Sequence, residues 1–391
     1  MNISLIGTTK NGYIADKKDF DNFSGKIAGI CYMTKSFENL INENFEKTEK
    51  RIIKTKNSGH HSVYDHNNVT LCLENIPKAL AMVLNNEKMY TTSEKSARYT
   101  KMLLKENEEV LYNKWMNIFK DLIKTKYQQK FPDFFNDSKI EKLAQENARY
   151  FISVFTPTSM IYTTSYRQLN CVYAMMKNEI NKKNQNKFYK HLSPYMQEFC
   201  ASIEKISNYI DPYLIKNEKN RSLSLFDNRE SPLPDYFNYV YSTNYKGSFA
   251  QLAEAQRHRT IGYNINLLNK NEFYIPPILK NSELLKKEWE NDCNKNTTLF
   301  PQGLMLCINE FGTLDNFILK AKERKCTFAQ LEINQQTNET LKKYALSLLL
   351  AKNPLAKELQ KYLKGARCTF PDYTCLSQCK FTDGITEVRE I

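Results

Sequence analysis

The 391-residue sequence has no apolar run near the 18 or so residues that a membrane span requires, which argues against an integral membrane protein. Its first stretch, MNISLIGTTKNGYIADKKDF, lacks a cationic segment followed by an apolar one, so no secretory leader is expected. Histidine is scarce, at five residues. No serine or cysteine stands out beside a paired base, as a nucleophile would. No motif that reads DNA or RNA through interleaved aromatics is visible, which ranks nucleic acid below small molecules as a partner. Ten cysteines are scattered irregularly, a usage that fits reduced thiols in a cytoplasm better than a disulfide framework.

What is present describes a folded protein. Hydrophobic residues make up 41% and aromatics 12%, enough for a large core or two moderate ones. The net charge of +13 suits an anionic partner, although lysines run through the whole chain and mark no single patch.

Along the chain, FENLINENFEKTEKRIIKTKN (37–57) is amphipathic and stops at Gly59, as a helix does. NNVTLCLENI (67–76) is a β-branched strand, and Pro77 opens a helix after it. Helical patterns are expected at about 102–128, 138–155, 158–181 and 187–210. The polar segment 216–234 ends in two prolines and is expected to be a linker. After it a strand (236–245), Gly247 and the helix SFAQLAEAQRHR repeat the earlier order, with further helices near 311–325, 336–351 and 355–364. Strand, turn, helix and polar loop at 67–99 and again at 236–266 suggest a diverged duplication. The expected division is 1–215, linker 216–234, 235–365, and a cysteine-containing tail at 366–391.

Three short stretches carry chemistry. In AEAQRHRTIGYN, Arg257, His258 and Arg259 close a helix; three consecutive side chains radiate over about 200° and cannot share one solvated face. The plain reading is a helix end whose cations complement the macrodipole. In TTSEKSARYTKM, Glu94, Ser96 and Arg98 alternate, so an extended chain puts them on one side as a nucleotide reader. The plain reading there is a polar turn with a salt bridge. In GHHSVYDHNNV, three of the five histidines (His60, His61, His66) fall within seven residues. Their spacing is poor for a metal, so the clustering argues for a site of another kind.

These residues together resemble the flavin-dependent thymidylate synthases, which run a GHxSxxEH segment, a strand, a helix and then RHRxxSxNExSxRY. Residues at about 24–180 carry the resemblance through Gly59, His60, Ser62, Asp65, His66, Glu94, Ser96, Arg98 and Tyr99, with Arg149 in ENARYF and Arg167 in TTSYRQLN. Where the family has RHR, this half has Asn86, Glu87 and Lys88. The second half supplies Arg257-His258-Arg259 and lacks the ExSxRY part. Each half therefore retains what the other has lost.

The resemblance implies an α+β fold in two diverged copies, helix-rich with a small antiparallel sheet in each. It implies active sites at subunit interfaces, hence one composite site between the halves of this chain. Arg257, His258 and Arg259 would hold FAD as cations, with Ser62, His60, Glu94 and Arg167 as further FAD contacts. Glu94, Ser96, Arg98, Arg149 and Arg257 would hold dUMP. The implied reaction is reductive methylation of dUMP C5 from methylenetetrahydrofolate with NADPH, in a cytoplasmic homodimer that mimics the family's tetramer.

One departure stands out. The family's activating arginine, nine residues after the position of Arg167, falls on Met176, and in the second half on about Glu332. Lys322, Arg324 and Lys325 are the nearest replacements in the sequence. A different uracil nucleotide as substrate, or a catalytically silent nucleotide- or nucleic-acid-binding protein, are the alternatives. The tail adds Cys368, Cys375 and Cys379, three candidate ligands for zinc or an iron–sulfur cluster, with Cys326 or Cys293 as the fourth.

Overall fold

The computed structural model describes the chain except residues 10–14, 34–35, 101, 207, 217–220, 228–232, 296–299, 377 and 387. Parts of the expected linker, 217–220 and 228–232, therefore lie outside the described residues. The chain forms two compact units: residues 1–95 with 157–224, and residues 96–156 with 225–391.

The first unit carries four antiparallel strands, β1 (Asn2–Thr8), β2 (Asn68–Pro77), β3 (Thr91–Glu94) and β4 (Pro157–Ser165), in the order β1-β2-β4-β3. Period-two burial builds them: Val69, Leu71 and Leu73 of β2 and Thr158, Met160, Tyr162 and Thr164 of β4 are buried. This corrects the helix expected at 158–181. Its first part alternates buried and half-buried side chains as β4, and the helix Tyr166–Ile180 starts only after Ser165 caps it. The helix Lys78–Leu84 follows β2 directly and is buried along its whole length.

The second unit repeats the plan. Its strands β5 (Tyr236–Phe237), β6 (Val240–Ser248), β7 (Gly262–Leu267) and β8 (Met305–Thr313) are antiparallel in the order β5-β6-β8-β7. The helix Phe249–Ala255 follows β6 as Lys78–Leu84 follows β2, and Leu314–Arg324 follows β8 as Tyr166–Ile180 follows β4. The architecture is α+β, with a small antiparallel sheet in each unit. Among the described residues no helix is long and apolar enough to cross a membrane.

Residues 96–156, which the sequence groups with the first half, pack inside the second unit for a physical reason. Trp115 and Trp289 meet edge-on at 4.8 Å between centroids, and Phe119 and Phe151 pack against the same pair. The Trp115 indole N–H donates to Asp292 at 3.0 Å, so this aromatic core is anchored and polar-satisfied.

Candidate functional site

The second unit gathers arginines around one carboxylate. Glu254 sits in the last turn of the helix Phe249–Ala255, one turn before the Arg257-His258-Arg259 turn, and is buried. Arg257 reaches its carboxylate at 3.2 Å and Arg324 at 3.3 Å. Burial alone would raise the Glu254 pKa; Arg257, Arg149, Arg98 and Arg324 more than offset that and lower it. Arg98 of the SEKSAR stretch, Arg149 of ENARYF and Arg257 of the RHR turn thus lie in one unit and all act electrostatically on one carboxylate, which Arg257 and Arg324 touch directly.

Each arginine is held differently. Arg98 donates from Nε to Glu146 and from Nη2 to the Phe328 carbonyl at 2.8 Å. Burial opposes its charge, but Glu146 and Glu254 outweigh burial and raise its pKa. Arg149 is buried at 2% exposure and donates from Nε to the Glu146 carbonyl at 3.2 Å. Its Nη2 is also buried and has no partner among the described residues, a costly state for a guanidinium unless a ligand completes it. Arg257 and Arg259 are exposed. The Ser96 hydroxyl accepts from the Arg98 amide at 3.3 Å, which shapes the turn carrying Arg98.

His258 is no cation, contrary to the expectation for the triplet. Its Nε2 accepts from Arg324 Nε at 2.6 Å, so the ring proton is on Nδ1. Burial, then Arg324, Lys320 and Arg257, push its pKa down to about 2. At that value the 3.7 Å approach of Glu323 to Nδ1 is not an ion pair. The imidazole works as a buried acceptor that orients Arg324.

The remaining candidates fall in the first unit. Glu94 ends β3 and accepts from Lys78 Nζ at 2.7 Å and from Asn85 at 3.4 Å. The GHHSVYDH stretch forms a short 3-10 helix, His61–His66, in which Ser62 is exposed. His60 pairs through Nδ1 with the Tyr32 hydroxyl. Asp65 accepts from Arg167 and from Ser165, each at 2.7 Å. Asp65, Lys88, Tyr90 and Arg167 line a cavity of about 430 Å³, and burial pushes the Lys88 ammonium down to about 8.

Neither position of the missing activating arginine presents a cation. Met176 is buried in the helix Tyr166–Ile180. Glu332 is buried and accepts from the Ser248 amide at 2.8 Å, its hydroxyl at 2.6 Å and the Tyr150 hydroxyl at 2.9 Å. Of the replacements named from the sequence, Lys322 pairs with Asp372 and Lys325 donates to Asn338 and the Tyr362 carbonyl. Arg324 alone of the three joins the cluster on Glu254. Glu254 and Glu146 were missed in the sequence; the only signal was Glu254 standing three residues before Arg257, on the same helical face.

Cys368, Cys375 and Cys379 share a cavity with Cys326, whereas Cys293 is buried in the aromatic core around Trp115 and Trp289. Among the described residues no group of three or more His, Cys, Asp or Glu side chains is placed to hold a metal ion, so the zinc or iron–sulfur site expected on these cysteines is not formed there.

Residues 14–198 match the family described as thymidylate synthase complementing protein. No curated protein sequence matches the chain. Among solved structures, a UMP/dUMP methylase PolB from Streptomyces cacaoi bound with 5-Br dUMP is 12% identical, covers 54% of this chain and 97% of its own, and has a TM-score of 0.31. Thymidylate Synthase X from Helicobacter pylori with FAD and dUMP is 13% identical, covers 55% and 99%, and scores 0.33.

Proposed function

We propose, from the premise that residues 14–198 belong to the thymidylate synthase complementing protein family, that this chain is a flavin-dependent methyltransferase acting on C5 of dUMP. Methylenetetrahydrofolate is the one-carbon donor in this reading, and NADPH the reductant. What supports it is a buried Arg149 Nη2 that has no partner among the described residues, in the same unit as Arg98 and Arg257, all three acting electrostatically on Glu254. An anionic phosphate completes such a guanidinium by charge-assisted hydrogen bonds, and the excess of arginine over carboxylate at the site favours one.

The same donor set fits the diphosphate of FAD, which when bound supplies the transfer and reduction chemistry that no side chain here offers. The protein's own residues bind and orient. Arg149 and Arg98, fixed by Glu146, hold phosphate oxygens, and Arg257, paired with Glu254, adds an exposed cation at the rim. Arg324, held by His258 and Glu254, is the one replacement for the family's arginine that lies in this cluster. Because His258 stays neutral, it donates no proton at working pH and serves to position Arg324.

We read the two sheets as diverged tandem copies, supported by their identical strand order and helix placement. One composite site then combines Arg98 and Arg149 from the first copy with Arg257 from the second. Calorimetric titration of the full chain with dUMP tests the reading, together with the visible band of bound FAD near about 450 nm. Binding of dUMP lost in Arg149→Ala supports it, while binding of neither dUMP nor FAD overturns it. Preference for UMP would favour the second reading, another uracil nucleotide, which Met176 at the activating position motivates.

A further inference from the structure

The cavity of about 430 Å³ in the first unit carries on its wall an amine that the nucleotide reading leaves unused, Lys88. The chain on both sides of Lys88 is tied to that wall. The Glu87 carbonyl accepts from Gln168 Nε2 at 3.2 Å, and the Met89 carbonyl accepts from Thr164 Oγ1 at 2.9 Å. Gln168 and Thr164 are themselves wall residues, so the backbone of Lys88 is fixed at the cavity.

The two units differ at this position. Lys88 stands three residues after the C-cap of the helix Lys78–Leu84, as Arg259 stands three residues after the C-cap of Phe249–Ala255. Arg259 is exposed, whereas Lys88 is half-buried. A guanidinium forms no imine, but a lysine out of water gives up its proton and becomes a nucleophile. Burial lowers the Lys88 ammonium to about 8. At pH 8 about half of it is then the neutral amine, against under about 1% of an ordinary lysine.

The rest of the wall selects the ligand. Asp65 and Arg167, its other charged residues, pair with each other at 2.7 Å and call for no charged partner. Of its other titratable groups, the Tyr90 hydroxyl donates to the Asn85 carbonyl and burial raises the Cys171 thiol. Amides and hydroxyls of Asn68, Thr91 and Thr163 complete a lining suited to a polar, uncharged molecule.

We propose that Lys88 captures small uncharged hydroxyaldehydes, such as an open-chain triose, as an imine in this cavity. The neutral Nζ attacks the aldehyde carbon, the C–N bond forms, and the carbonyl oxygen leaves as water with both Nζ hydrogens. Nothing is oxidised or reduced in this step. The inference stands whether or not the chain methylates dUMP.

The test treats the full chain with glyceraldehyde at pH 8 and cyanoborohydride, which reduces each imine to a stable amine. Peptide mass spectrometry then maps the modified lysines over time. Lys88 should react at least about 10-fold faster than the exposed lysines, the advantage that its neutral fraction confers. That advantage should shrink as pH rises toward about 10.4, where ordinary lysines lose their protons too. It should vanish in urea, where the cavity is lost. Propionaldehyde, which lacks the hydroxyls, should show a smaller preference for Lys88. Lys88 reacting no faster than exposed lysines would overturn the inference, as would a preference that persists in urea or is as large with propionaldehyde.

Discussion

The turn after Lys78–Leu84 and the turn after Phe249–Ala255 occupy the same place in two sheets of the same strand order, yet they carry opposite charge logic. In the first, Asn86-Glu87-Lys88 turns a carboxylate inward. Glu87 is fully buried and accepts from the Ser224 amide at 2.6 Å and hydroxyl at 2.7 Å, with Arg221 at 3.1 Å. In the second, Arg257-His258-Arg259 follows a buried Glu254 that collects guanidiniums. A buried acid held by its own chain, through Ser224 on Oε1 and the Arg221 cation near Oε2, calls for no anion, whereas arginines in excess of carboxylate, one with a buried N–H that has no partner among the described residues, favour one. On the proposed reading, the same topology serves closure in one unit and binding in the other.

The largest way to break this contrast is to convert the first turn toward the second. Glu87→Lys would bury an ammonium where Ser224 offers its amide donor and beside the Arg221 cation. We expect a loss of about 3–5 kcal/mol in urea unfolding of the first unit, the usual cost of leaving a buried charge without its partners. An unchanged midpoint would show that the 221–224 segment does not close on Glu87 in solution.

The second test separates closure from binding. Arg257→Ala should weaken dUMP about 10- to 100-fold by calorimetry, the loss expected for one charge-assisted contact, with little change in the melting temperature. Glu87→Gln should do the reverse, lowering stability and leaving the dUMP affinity within about twofold. Equal effects of both variants on affinity would mean the two turns do not differ in role.

How far this was legible in the sequence follows from the same two turns. The RHR triplet was readable because three adjacent cations cannot share a solvated helix face, and β2 was readable from its β-branched alternation. Strand β4 was hidden, because Thr, Ser and Tyr at its alternating positions look polar until Met160 and Tyr162 are seen buried. Packing of 96–156 in the second unit was hidden as well: Trp115 and Trp289 are 174 positions apart, and no local pattern reports such a contact. The charge state of His258 was misread for a related reason, since its neutrality is imposed by Arg324 from another helix.

That neutrality gives the smallest effect and the sharpest check on the second turn. In the folded chain His258 stays unprotonated down to about 2, whereas in the unfolded chain it takes a proton below about 6.5. Unfolding at acid pH therefore takes up a proton, and stability falls as pH drops below about 6.5, by up to about 1.4 kcal/mol per pH unit from this group. Above that pH the term vanishes. His258→Gln keeps an acceptor for Arg324 and cannot titrate, so its stability between pH 5.5 and 6.5 should fall less steeply than the parent's by about 1 kcal/mol. Parallel curves would place a charged histidine in the folded site, and the second turn would then carry the three cations that the sequence alone suggested.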